Sequence, residues 1–216
     1  MKRKRILLVL PLAVTMLLTV SLPAAAISAK KILKKVDKKY EDLSDFRAAF
    51  SQTILVDSTD SGYSAAGTLW VKKPDRFRLQ LERQTMISDG DTLWTYVPVH
   101  QQVLVDRVYP ESAATRPDQL FLKYFKEADA KLVDTVKLDG HECYLLHLTP
   151  EESEVAVLLK VWVDGKSWLA RRLEVTDDGG MITEYEFTDV QINLGLADSL
   201  FVYRPPPEVK VIDMRW

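Results

Sequence analysis

Asp-Gly steps at Asp89-Gly90, Asp139-Gly140, Asp164-Gly165 and Asp178-Gly179-Gly180 constrain this chain more than any other feature. They use five of its eight glycines, and they lie between runs in which apolar and polar residues alternate. Tight hairpin turns need positive φ at their central residues, which glycine and, to a lesser degree, aspartate accept at low cost. Asp-Gly between alternating runs therefore predicts strands joined by hairpins. Period two is visible in Phe46-Ala48-Phe50 and again in Phe77-Leu79-Leu81, where Arg76, Arg78, Gln80 and Glu82 take the other face. Strand-like runs recur at 67–72, 92–97, 102–107, 131–138, 141–149, 154–164, 168–176 and 182–192. The expectation is a mainly β fold, a hairpin-connected antiparallel sheet that closes into a barrel or curves strongly.

Two segments break the alternation. Residues 29–43 carry Ile32, Leu33, Val36, Tyr40 and Leu43 at helical spacing, with lysines on the opposite side. Residues 110–130 place Leu120, Phe121, Tyr124 and Phe125 at helical spacing after a Pro117-Asp118 start. Spacing leaves two readings of this second segment open: a helix packed on the core, or a lid whose apolar side closes the mouth of a curved sheet.

The first 26 residues read as an export signal. Lys2, Arg3, Lys4 and Arg5 precede an apolar run from Ile6 to Val20, and Ala24 and Ala26 fit the small-x-small cleavage rule. Pro23 and the alanines after it favour cleavage after Ala26 over an uncleaved anchor. No cysteine ends the apolar stretch, so the bacterial lipid-attachment signal is missing, and the mature protein is expected to be soluble in the periplasm. Residues 27–216 contain no linker-like or low-complexity tract and are read as one domain. Removing the four signal-region cations leaves 25 basic against 31 acidic residues, a poor match for nucleic-acid binding. The single cysteine, Cys143, cannot form an internal disulfide.

Catalytic signatures do not emerge. His141, Cys143 and His147 fall on one face of a strand, which raises a metal site. The two histidines are, however, about 20 Å apart along an extended chain, too far for one ion with bonds of about 2 Å. No nucleophile elbow, phosphate loop, dinucleotide fingerprint or zinc-protease helix is present. The chain is expected to be no enzyme, with neither metal nor cofactor. The aromatics Trp70, Phe77, Trp94, Tyr96, Trp162 and Trp168 all fall in or beside strand runs. A barrel core accounts for any one of them. An interior left unfilled would instead be a ligand cavity.

Local motifs are more specific. Phe46-Arg47-Ala48-Ala49-Phe50-Ser51-Gln52 is followed by Gly67-Thr68-Leu69-Trp70-Val71-Lys72-Lys73-Pro74 and then by Ser88-Asp89-Gly90-Asp91-Thr92-Leu93-Trp94-Thr95-Tyr96-Val97-Pro98. In this order, with the ending Phe201-Val202-Tyr203-Arg204-Pro205, the chain resembles the periplasmic outer-membrane lipoprotein carrier family. The resemblance implies an incomplete, strongly curved antiparallel β-barrel with helices forming a lid over an apolar cavity. It also implies a function. Such carriers accept triacylated lipoproteins from an inner-membrane ABC transporter complex and hand them to an outer-membrane lipoprotein receptor. The alternative is a periplasmic binding or sensor module of the same fold for another lipid or amphiphile. A monomer is expected.

Site residues follow from the matched positions. Phe77 falls at the family's cavity aromatic, and Leu79 and Leu81 continue its face. Phe50, Met86, Trp94 and Tyr96 are further lining candidates, and Leu120, Phe121 and Phe125 are lid candidates from helical spacing. The family often carries an arginine immediately before the motif proline, where it holds the lid by hydrogen bonds to helix backbone. Lys73 stands there in this chain. An ammonium lacks the planar fork of a guanidinium, so a different or weaker latch is expected.

Overall fold

A computed structural model describes residues 27–57, 60–108, 128–150 and 158–215. It opens with one helix, α1 (Ala29–Glu41). Ser28 caps its first turn by accepting the Lys31 N–H, and Lys38 and Lys39 sit in its last turn, where cations suit the helix dipole. Ala29, Ile32 and Val36 are buried, on the stripe that spacing selects.

Among the described residues twelve strands follow: β1 (Asp45–Asp57), β2 (Asp60–Lys72), β3 (Arg76–Leu81), β4 (Thr85–Ser88), β5 (Thr92–Val97), β6 (Gln102–Arg107), β7 (Ala128–Leu138), β8 (His141–Pro150), β9 (Leu158–Asp164), β10 (Ala170–Thr176), β11 (Ile182–Ile192) and β12 (Lys210–Asp213). They form one sheet in the order β12-β6-β5-β4-β3-β2-β1-β11-β10-β9-β8-β7. Every pairing is antiparallel except β12 with β6, which is parallel. The mainly β, hairpin-built sheet is thus the one the alternation and Asp-Gly steps predict, and its incomplete closure is the one the resemblance implies. Asp139 and Gly140 both take positive φ between β7 and β8, the requirement of a tight two-residue hairpin.

The structure departs from the sequence reading in three places. β4 is a strand of its own, four residues long, and β12 adds a parallel strand from the C-terminus. Trp168 is not in a strand: it adopts φ +61 in the β9–β10 turn, and β10 starts at Ala170. Asp164-Gly165 therefore opens a longer turn that closes at Trp168.

One core cluster joins Phe77 and Leu79 of β3 to Leu146 and Leu148 of β8, and it includes Ile32 and Val36 of α1. In a flat sheet, β3 and β8 would be separated by six strand spacings, about 29 Å at 4.8 Å each. A single helix about 10–12 Å across can join both only if the sheet curls around it. Curvature and helix are thus one packing solution. Gly67 permits a tight point in that curl. A Cβ there would lie 1.9 Å from the Gln80 carbonyl oxygen, so any side chain would collide with β3 backbone.

A second, smaller cluster lies on the other face of the sheet, where Val103 and Val105 of β6 meet Val209 under Trp94, Tyr96 and Tyr203. Tyr96 and Tyr203 stack at 5.5 Å between centroids. The start of β1 is fixed to the chain after β11. The buried Asp45 carboxylate accepts the N–H groups of Leu194, Gly195 and Leu196, and Lys72 donates to the Leu196 carbonyl and to Asp198.

Candidate functional site

The concave face is largely apolar, with Ser88 and Thr95 among its few polar positions. Antiparallel pairing puts opposed residues on the same face, so Phe77–Ser88–Leu93 and Leu79–Met86–Thr95 form two rows across β3, β4 and β5. Gly67 opposes both Phe50 and Leu81. Across the centre stand Phe50, Tyr185 and Phe187, with ring centroids 5.7–5.9 Å from Phe50. Farther round, Leu173, Val161, Leu159, Leu146 and Leu148 are fully or nearly fully buried. Phe50, Phe77, Leu79, Leu81 and Met86 thus share one interior surface.

Trp94 and Tyr96 do not share it. They pair with Ile87 and Thr85, and so lie on the opposite face, in the second cluster beside the C-terminal segment. The expectation that they line the cavity is corrected. Leu93 and Thr95, their neighbours in β5, take the interior side. Trp70 and Trp162 likewise face outward, beneath Arg47 and Arg172 respectively. The lid candidates Leu120, Phe121 and Phe125 lie outside the described residues.

α1 fills the concavity. Ile32 and Val36 are completely buried against the sheet, with Leu33 and Tyr40 partly buried beside them. Sequence reasoning identified this amphipathic helix but gave it no part in the site. The signal was there, in an apolar stripe backed by lysines, and only the sheet's curvature shows what the stripe covers. Beside α1, among the described residues, Tyr40, Leu43, Phe46, Ala48 and Phe187 line a small apolar cleft of about 20 Å³. A larger open groove of about 720 Å³ passes Asp91, Arg107, Asp213 and Arg215, where β5, β6 and β12 meet. Its charged lining is unsuited to apolar ligands despite its size.

Polar contacts hold α1 near its C-terminal end. The Lys73 ammonium donates to the carbonyls of Tyr40 at 2.6 Å and Glu41 at 2.7 Å. These belong to the last carbonyls of the helix, which lack partners within it, and the positive charge complements the negative end of the helix dipole. Lys73 precedes Pro74 across a cis peptide bond. The Tyr40 hydroxyl accepts the Ala170 N–H at 3.4 Å, and burial pushes the phenol up to about 12, against the opposing effect of that bond. Lys35 stands 4.1 Å from the centre of the Trp168 ring.

One charged cluster lies beside the β9–β10 turn. The Asp164 carboxylate accepts from Arg171 Nε at 2.9 Å and lies 2.9 Å from His141 Nδ1. Burial works against its ionisation, but the N–H of Ser167, the Arg171 guanidinium and the N–H of Lys166 outweigh that and hold the carboxyl well below the usual range. Cys143 is buried, and burial pushes its thiol up, with the Asp164 charge adding to the effect. A protonated thiol is a poor nucleophile and a poor metal ligand. No group of three or more His, Cys, Asp or Glu side chains among the described residues could hold a metal ion.

Comparison with known proteins agrees with this architecture. The family model for the outer membrane lipoprotein carrier protein LolA matches residues 41–204. The outer-membrane lipoprotein carrier protein of Nitrosomonas europaea is 28% identical over 211 residues, covering 96% of this chain and 98% of the relative. That of Nitrosospira multiformis is 29% identical over 178 residues, covering 80% and 84% respectively. That of Proteus mirabilis is 27% identical over 183 residues, covering 83% and 87%. Among solved structures, an uncharacterized conserved protein from Thermus thermophilus superposes with a TM-score of 0.58 at 12% identity, covering 86% of this chain and 98% of its own.

Proposed function

The chain belongs to the outer-membrane lipoprotein carrier family, and from that membership we propose that it carries lipoproteins across the periplasm by sheltering their acyl chains in the concave face. The observation that carries the reading is α1: an amphipathic helix whose apolar stripe occupies a largely apolar, curved sheet face. In this conformation the buried face of α1 occupies the sheet surface that acyl chains would need. Acyl chains enter only as α1 leaves.

The energies suit an exchange. Burying one large aliphatic side chain is worth about 1.5–3 kcal/mol, so Ile32, Leu33, Val36 and the ring of Tyr40 together contribute on the order of 10 kcal/mol or less. One long acyl chain, at about 0.8 kcal/mol per methylene, is worth on the order of 10 kcal/mol. Helix and a single acyl chain therefore compete on similar terms. A carrier needs this balance: it must cover lipid that would otherwise be exposed to water, yet release it without an energy source of its own. When the loaded and empty states differ little, the affinity of an acceptor decides direction.

In this reading the cargo is a triacylated lipoprotein, the donor an inner-membrane ABC transporter complex and the acceptor an outer-membrane lipoprotein receptor. The export signal at 1–26 delivers the chain to the periplasm, and residues 27–216 act as one domain. Phe50, Phe77, Leu79, Leu81 and Met86 contact the acyl chains, and Lys73 latches the helix. No catalytic group takes part. Native mass spectrometry of protein isolated gently from the periplasm tests this reading. A co-purifying triacylated lipoprotein is the expected result. A free lipid as the sole bound species, or none after incubation with a membrane source of lipoprotein and transporter, refutes the lipoprotein carrier.

A further inference from the structure

α1 makes a second cationic contact with the sheet, through Lys35. The first, Lys73, comes from the β2–β3 connection. On the other side of the central β1–β11 pair, the β9–β10 turn presents Trp168 to Lys35 of the helix, with the ammonium 4.1 Å from the ring centre. A cation over an indole face is held by the ring's quadrupole. The indole is backed by Tyr144, stacked at 5.9 Å between centroids with 14° between ring planes. Lys35, Trp168 and Tyr144 thus form a column from helix to β8.

The backbone is built to present that ring. Trp168 takes φ +61, a conformation unfavourable for a bulky aromatic residue. The surrounding turn imposes it. Asp164 accepts the N–H groups of Lys166 at 2.9 Å and Ser167 at 2.8 Å on one carboxylate oxygen, and Arg171 Nε at 2.9 Å on the other. Its carbonyl accepts the Trp168 N–H at 3.0 Å, its own N–H donates to Leu169, and Gly165 N–H donates to the Glu142 carbonyl. A left-handed bulky residue in a turn so heavily braced is the pattern expected where local strain serves a function. The alternation of residues 168–176 would have run a strand through Trp168. Removing it from the strand leaves its ring in contact with both Lys35 and Tyr144.

We propose that Trp168 is a positioning residue of a second latch, so that α1 is gripped from both flanks of the concavity and opens only when the Lys35–Trp168 contact and the Lys73 contact are both released. The proposal rests on α1 being the displaceable element. Its consequence is that loosening one flank lowers the cost of opening by that contact's share, while the other contact still opposes it. Each latch is weak by itself, which suits a helix that must be dislodged by a docking partner without being permanently fixed.

Amide hydrogen exchange of α1 in the full mature chain is the test. Lys35→Gln speeds exchange in Lys34–Tyr40 by about 2- to 5-fold, the range set by one partly exposed cation–ring contact. Lys35→Arg retains protection, as does the control Lys34→Gln, while exchange in β1 and β11 is unchanged in all three. Trp168→Gly, which accepts the positive φ, speeds the same helix amides, and the double variant with Lys35→Gln exchanges no faster than Trp168→Gly alone. Unchanged α1 exchange in Lys35→Gln overturns the latch, and so does a double variant whose effects multiply. If Trp168→Gly unfolds the sheet, Lys35→Gln against Lys35→Arg and Lys34→Gln still decides. Uptake of a fluorescent fatty acid by the same variants separates the two readings. Faster α1 exchange without faster uptake keeps the latch and refutes the acyl carrier.

Discussion

Shortening one helix side chain should lower stability and raise lipid affinity at once. Ile32 is wholly buried between α1 and the sheet. Ile32→Ala removes its transfer free energy and leaves a cavity, together about 2–4 kcal/mol of folding stability. If acyl chains enter by displacing α1, Ile32 is solvent-exposed in the loaded state as it is in the unfolded chain. The same cost then falls on the empty conformation but not on the loaded one. At 1.4 kcal/mol per tenfold, 2 kcal/mol appears as roughly 30-fold tighter acyl binding. Phe77→Ala is the contrasting variant, because its ring belongs to the sheet and would touch the ligand: it should lose stability and affinity together. Urea denaturation followed by circular dichroism gives the first quantity, and titration with a fluorescent fatty acid the second. Weaker binding by Ile32→Ala, parallel to Phe77→Ala, would refute the displacement mechanism, since it would mean that Ile32 remains against the ligand.

Three further outcomes follow from particular contacts. Lys73→Met keeps the aliphatic stem but removes both bonds to the Tyr40 and Glu41 carbonyls; at this exposed site the loss is about 1 kcal/mol, seen as faster exchange at the end of α1 and a several-fold gain in fatty-acid affinity, with Lys73→Arg close to the parent. Gly67→Ala puts a methyl 1.9 Å from the Gln80 oxygen and should cost about 1–3 kcal/mol by forcing β2 and β3 apart; an unchanged urea midpoint would refute the close approach. Asp164 is ionised well below the ordinary carboxylate range when folded, so its contribution is fully present above the unfolded value of about 4 and declines as pH falls below it. Asp164→Asn should therefore be less stable than the parent at pH 7, with a gap that narrows progressively below about pH 4; a gap independent of pH would show that the carboxylate charge plays no part.

Strand positions were readable because burial on one face imposes period two. β5, β6 and β11 run over 92–97, 102–107 and 182–192, the ranges alternation indicates. The short strands were not readable. Thr85–Ser88 and Lys210–Asp213 have four residues each, too few for a period to stand out, and they form because neighbouring strands offer open edges. α1 was legible as amphipathic, but its place inside the sheet depends on curvature shared among strands far apart in sequence. The position of Lys73 was marked by the resemblance and not by any local pattern, since its contacts join a turn and a helix end about 30 positions apart.

Trp94 and Tyr96 mark the boundary between the two kinds of information. Their sequence alone determines that they share a face, because they are two residues apart in one strand. It does not determine which face. That is set by the register through β4, where Ser88 opposes both Phe77 and Leu93 and sends Trp94 to the side of Arg78. A slip of one residue in either intervening turn would exchange the two sides of β5 completely. Local chemistry thus settles strands, turns and the helix stripe, each a matter of a few adjacent residues. Tertiary structure decides which stripe meets which, because register, curl and the seat of α1 are properties of the whole sheet closing on one core.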